Sequence, residues 1–219
     1  MSDSKKSKQS SKRKSNPAKN GSGNIPSLSD IEREDFEKML ERLGIDSWDW
    51  ILIGDGSGSN WDYQCGWGCV SIERDTFERR VWAGCMSQGT VNFAEMMAYL
   101  QPLTWFNAQE DAKRKHTGKA RRPKQIHIIT DSDYVRSQGE SGDMMPKRNG
   151  ALWRIFEDFV RQGLVLNWHW VRRETVGLNI YADLISKSAR GLIKDNPIQE
   201  RVETVNGTVT KTVYNYNPT

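Results

Sequence analysis

Ile126-His127-Ile128-Ile129-Thr130-Asp131-Ser132 is a short apolar run that ends on a carboxylate. Such runs, bounded by polar turn residues, read as strands buried on both faces. The same event occurs at Trp50-Ile51-Leu52-Ile53, which runs into Gly54-Asp55-Gly56-Ser57-Gly58. An acid at the end of a buried strand is costly unless it is paired or holds a metal ion. Working outward, Gly66–Ile72 and Arg80–Cys85 read as two further strands, and Leu164–Val171 as a fifth. Phe93–Phe106 has a helical pattern despite Pro102, residues 150–162 form an amphipathic helix, and Asn179–Leu192 a last one. Residues 112–124 read as a loop. Upstream, Ser29 and Glu32 suit a capping box and Gly44 a C-cap, which predicts a helix over 29–43. Beyond Pro197, two alternating Val/Thr/Tyr segments flank Asn206-Gly207, a hairpin signal. Three consecutive strands followed by alternating helices and strands predict an α/β protein with a mixed sheet.

Charge narrows the partners. The 219 residues carry a formal net charge of +4, but residues 1–24 alone hold +6 and residues 112–124 hold +7. The rest of the chain therefore carries −9. An acidic body that holds a polyanion needs a reason, such as metal ions between carboxylates and phosphates. No run of 18 apolar residues exists, so no membrane span is expected, and the Ser/Lys-rich N-terminus has no apolar secretory core. Cys65, Cys69 and Cys85 are odd in number and form no CxxC, which argues against a disulfide scaffold or zinc site. An intracellular compartment, cytoplasmic or nuclear, is expected, with the basic tail around Lys12-Arg13-Lys14 a solubilising segment, a nucleic-acid arm or an import signal.

Four acids stand where folding could gather them: Asp55, Glu95 in an apolar helix, Asp131, and Asp183 in the last helix. Four hard oxygen donors suit Mg²⁺ or Mn²⁺. Six short motifs surround them. These are Asp55-Gly56-Ser57, Thr90-Val91-Asn92-Phe93-Ala94-Glu95, Thr130-Asp131-Ser132-Asp133-Tyr134-Val135, Asn149-Gly150-Ala151-Leu152-Trp153, Trp168-His169-Trp170-Val171 and Asn179-Ile180-Tyr181-Ala182-Asp183. In that order and on those elements, the chain from about 50 to 190 resembles a type 1 ribonuclease H.

The resemblance implies an RNase H-like fold, a five-stranded mixed sheet with helices on both faces. It implies an endonuclease that hydrolyses the RNA strand of RNA–DNA hybrids with two Mg²⁺ ions, or Mn²⁺, and no small organic cofactor. Asp55, Glu95, Asp131 and Asp183 would be the metal ligands and catalytic residues. Asn92, Gly56, Ser57, Ser132, Asn149 and Arg173 would contact the hybrid. The expected division is a disordered basic tail at 1–25, a helical extension at 26–47, the catalytic domain at 48–195 and a hairpin extension at 196–219. The hairpin would cap a sheet edge or mediate self-association.

Two departures stand out. The family's loop His after the fifth strand is replaced by Arg172-Arg173-Glu174-Thr175, and counting from either side gives Glu174 or Arg173 at that position. Glu174 is a candidate mobile metal or water contact, or else a surface charge. The segment between Asp131 and Asn149 is short and lacks the helix and basic loop with which some members grip the hybrid, leaving that task to residues 112–124 or the tail. Two alternatives remain: a decayed, non-catalytic nucleic-acid scaffold, and another nuclease of the superfamily. Four retained acids disfavour the first, and Ser57 in place of an acid two residues after Asp55 disfavours the exonucleases.

Overall fold

The computed structural model describes residues 33–58, 64–118, 124–141, 149–173, 175–191, 201–205 and 208–216. The tail 1–25, the Ser29–Glu32 capping box, Glu174, and Lys119, Arg121 and Arg122 lie outside the described residues. The elements are α1 (Arg33–Leu43), β1 (Trp50–Gly58), β2 (Cys65–Glu73), β3 (Arg79–Met86), α2 (Val91–Thr117), β4 (Lys124–Thr130) and α3 (Asp133–Ser141). They continue with α4 (Gly150–Arg161), β5 (Leu164–Trp170), α5 (Gly177–Gly191), β6 (Arg201–Val205) and β7 (Thr208–Tyr216).

One mixed sheet runs in the order β5-β4-β1-β2-β3-β7-β6. β1, β2 and β3 form an antiparallel meander, while β4 lies parallel to β1 and β5 parallel to β4. These are the five expected strands. The C-terminal segments add two more: β7 pairs in parallel with β3 and takes β6 as its antiparallel neighbour. The hairpin thus lies along the β3 edge of the sheet.

Alternation along β1 explains the layering, because successive strand side chains point to opposite faces. Trp50 and Leu52 enter a cluster with Tyr99, Leu103 and Phe106 of α2, Val135 of α3 and Trp153 and Phe156 of α4. Ile51 and Ile53 enter the other, with Phe36 and Met39 of α1 and Leu178, Tyr181 and Ile185 of α5. Helices therefore cover both faces.

Three local expectations change. β1 continues through Asp55 to Gly58 instead of stopping before it. Residues 112–117 are not loop but the end of α2, closed by Gly118 at φ +65°, and Lys124 already belongs to β4. The segment after Asp131 is not bare either, since Asp133–Ser141 forms α3.

Candidate active site

The site is built from close backbone approaches. A Cβ on Gly56 would sit 2.3 Å from the Glu95 amide nitrogen, so only glycine lets α2 lie this close to β1. From the opposite face, a Cβ on Gly68 would sit 2.5 Å from the Ala182 carbonyl oxygen. Gly68 is the register partner of Asp55, so α5 presses on the sheet beside that acid and brings Asp183 with it. The Thr90 side chain accepts from the Phe93 amide and starts α2, one turn before Glu95. The parallel β1–β4 pairing ends at Ile53↔Ile129, and Asp55 and Asp131 follow just beyond that point.

Asp55, Glu95 and Asp131 each offer a carboxylate oxygen, and these oxygens lie within 4.8 Å of one another. The Asp55 residue is 1% exposed and Glu95 2% exposed. One oxygen of each (Asp55 Oδ1, Glu95 Oε2 and Asp131 Oδ1) is buried without a hydrogen-bond partner. Buried polar atoms are almost always satisfied, so three orphaned oxygens within one group of acids are a strong departure. Hard, anionic, oxygen-only donors match a divalent cation such as Mg²⁺ or Mn²⁺, and the residues therefore fit such an ion.

Electrostatics carry the same signature. Burial, with help from Asp131 and Asp183, pushes the Asp55 carboxyl up to about 7. Burial, then Asp55 and Asp131, hold Glu95 well above the usual carboxylate range. Like charges this close resist simultaneous ionisation without a cation. Arg173 brings a protein cation to the group: its Nε donates to Asp131 Oδ2 at 2.9 Å.

The remaining sequence candidates take varied places. Asp183 is outside the three-acid group; its Oδ2 accepts from Lys187 Nζ, yet it is near enough to raise Asp55. Asn92 is half-buried in the first turn of α2. Ser57 Oγ donates to the Gly66 carbonyl at 3.4 Å. Ser132 Oγ accepts from the Val135 amide at 3.4 Å, capping α3. Asn149 sits at φ 56° before α4 and its Nδ2 donates to Tyr134 Oη at 3.3 Å. His127 and His169 stack with Nδ1 and Nε2 2.8 Å apart, and burial lowers both pKa values, His169 to about 4. They form a neutral pair between β4 and β5.

Two residues at the site were not singled out from sequence. Ser186 Oγ lies 3.0 Å from Asp55 Oδ2 and 2.9 Å from the Asp183 carbonyl oxygen. Tyr99 Oη lies 2.8 Å from the Gly54 carbonyl oxygen and 2.9 Å from that of Ile129. The available signal was helical spacing, since Tyr99 is four residues after Glu95 and Ser186 three after Asp183.

No family model matches the chain. It is 28% identical over 136 residues to the Ribonuclease H of Acidovorax sp. (strain JS42), covering 56% of this chain and 80% of that protein. It is 27% identical over 164 residues to the Ribonuclease H of Stutzerimonas stutzeri (strain A1501), covering 68% and 97%. Among solved structures, it is similar to the N-terminal RNase H domain of a Mycobacterium tuberculosis protein, at 21% identity and a TM-score of 0.48 over 67% of this chain and 96% of that one.

Proposed function

We propose that this chain is an RNase H-like protein of type 1 and that it hydrolyses the RNA strand of RNA–DNA hybrids. The observation that carries the proposal is the group of three buried carboxylates from β1, α2 and the end of β4, each with an unpartnered oxygen. Such a group has no use in a scaffold that only binds nucleic acid.

Asp55, Glu95 and Asp131 would hold the metal, two Mg²⁺ ions or Mn²⁺, with Asp183 joining from α5. When bound, the ions activate the attacking water and stabilise the leaving 3′-oxygen. The chain supplies the geometry. Gly56 and Gly68 let α2 and α5 approach, so that the ligands from separate elements meet. Ser186 steadies Asp55 Oδ2, and Arg173 steadies Asp131 Oδ2. Arg173, with its side chain 67% exposed, is free to follow a phosphate as well. Asn92, at the start of α2, reads the minor groove, where 2′-hydroxyls mark the RNA strand. Gly56, Ser57, Ser132 and Asn149 complete the hybrid contacts as substrate-facing backbone and polar groups. Glu174 serves as a metal or water contact, and unchanged turnover in Glu174→Gln would remove it from the mechanism.

Residues 48–195 form the catalytic domain in this reading, with 26–47 and 196–219 as extensions. The free, buried thiols of Cys65, Cys69 and Cys85 suit a reducing intracellular compartment. Among the described residues, no helix is long and apolar enough to cross a membrane.

The decisive experiment offers matched RNA–DNA hybrid, double-stranded RNA and double-stranded DNA, each with and without Mg²⁺, to the full chain and to Asp131→Asn. Only the hybrid is cut, only with metal, and only by the unmodified chain. Metal-independent cutting, or equal cutting of all three duplexes, overturns the proposal. Hybrid binding without any cleavage favours the decayed scaffold.

A further inference from the structure

We propose that Tyr99 is a positioning residue that sets the spacing of the metal ligands, an inference that rests on the metal-dependent nuclease reading above. Its phenol ring is fully buried and lies on Gly54, where a Cβ would be 2.8 Å from Tyr99 Cε1. That packing explains why a glycine precedes Asp55: the ring needs the space a side chain would take.

The hydroxyl occupies the place where two neighbouring strands part. Parallel pairing between β1 and β4 stops at Ile53↔Ile129. Immediately beyond, Tyr99 Oη is 2.8 Å from the Gly54 carbonyl oxygen and 2.9 Å from the Ile129 carbonyl oxygen. A phenol has one proton, so this is a three-centre hydrogen bond in which one donor is shared by two acceptors. It satisfies two buried carbonyls left behind by the ended ladder, and it fixes the distance between the two main chains. Gly54 directly precedes Asp55, and Ile129 is two residues before Asp131. Tyr99 itself stands one helical turn beyond Glu95 on α2. A single side chain thus touches the backbone that carries two of the acids and shares a helix face with the third.

The donor is permanent. Burial, and then the charge of Glu95, hold the phenol well above its ordinary pKa, so Oη keeps its proton at any working pH. A buried three-centre bond of this kind restrains the strands without touching substrate or metal, which distinguishes Tyr99 from the catalytic acids. Without it, β1 and β4 relax to whatever separation packing alone prefers. Ordering the three carboxylates then costs binding free energy when the cation arrives.

The test is Mn²⁺ titration of the full chain by calorimetry, comparing the unmodified protein with Tyr99→Phe, which keeps the ring and removes only the hydroxyl. Mn²⁺ affinity is expected to fall roughly three- to tenfold, the scale of one lost hydrogen bond. Cleavage should need correspondingly more metal, with KM for the hybrid unchanged. Ile126→Val, a core change at the far end of β4, serves as a stability control and should lower the Tm while leaving Mn²⁺ affinity alone. If Tyr99→Phe does not fold, Thr130→Val, which removes the hydroxyl beside Tyr99 Oη, should shift Mn²⁺ affinity in the same direction. Unaltered Mn²⁺ affinity in the folded variant, with only the Tm lowered, overturns the positioning role. Mn²⁺ binding by the unmodified chain without hybrid cleavage overturns the nuclease reading instead, and the titration still decides Tyr99. No Mn²⁺ binding at all overturns both.

Discussion

Asp55 concentrates the chemistry of this chain in one side chain. Burial and then Asp131 and Asp183 raise its carboxyl to about 7, against an ordinary value of 3.8. The folded state therefore holds this proton more tightly than the unfolded state. The resulting stability is full below about pH 4 and is lost as pH rises through about 7. Glu95 acts in the same direction. In EDTA, the unmodified chain should accordingly lose Tm between pH 4 and 7 relative to Asp55→Asn, as followed by circular dichroism. Mg²⁺ should restore most stability at the alkaline end, where the acids are charged and need a cation. Parallel Tm curves for the two proteins would refute this. The type and order of the acids were legible in sequence, because carboxylates after buried strands demand an explanation. Ser186 and Tyr99 were not, because a hydroxyl on a helix looks the same whether it faces water or a neighbouring strand.

At the scale of elements, glycines decide how closely helices meet the sheet. Gly56→Ala places a methyl 2.3 Å from the Glu95 amide and must push α2 outward. Overpacking of this kind costs about 1–3 kcal/mol, and here it also displaces a metal ligand. Urea unfolding should show that loss, and cleavage should fall with it. Gly139 makes the informative contrast. Its Cβ would meet the Trp168 ring at 2.3 Å, where α3 crosses β5 and no site acid is involved. Gly139→Ala should lose a similar stability while Mn²⁺ affinity, read by calorimetry, stays unchanged. The two elements misjudged from sequence have a common cause. The last turns of α2 and all of α3 are too polar to show apolar periodicity. The former is held by good helix formers with Lys113–Glu110 and Arg114–Asp111 pairs at 3.2 and 3.7 Å, and the latter buries only Val135 and Gly139. Gly118 after a basic turn was the available end signal for α2.

For the whole molecule, charge is segregated: an acidic body, a basic tail and a basic stretch at 112–124. The fold sorts that stretch. Lys124, its side chain only 16% exposed, is held through Nζ by Asp49 Oδ1 at 3.3 Å, so it is not a ready phosphate ligand. Replacing Lys115, Lys119, Arg121 and Arg122 with Gln should weaken hybrid binding. It should also flatten the dependence of log K on log salt by roughly 0.9 for each phosphate no longer neutralised. An unchanged slope would leave these residues a solubility role.

Sequence by itself determined the five core strands, the helices other than α3 and the end of α2, and the hairpin, and it marked four acids as candidates. Each follows from local periodicity or from the cost of stranding a carboxylate beside a buried strand. Tertiary structure alone decided which acids converge, where β1 and β4 part, and how the hairpin docks on β3. Those outcomes depend on backbones from distant segments approaching within van der Waals distance, as at Gly56 against Glu95 and Gly68 against Ala182. A glycine in sequence is permissive of many things. Only packing specifies which helix fills the space it leaves.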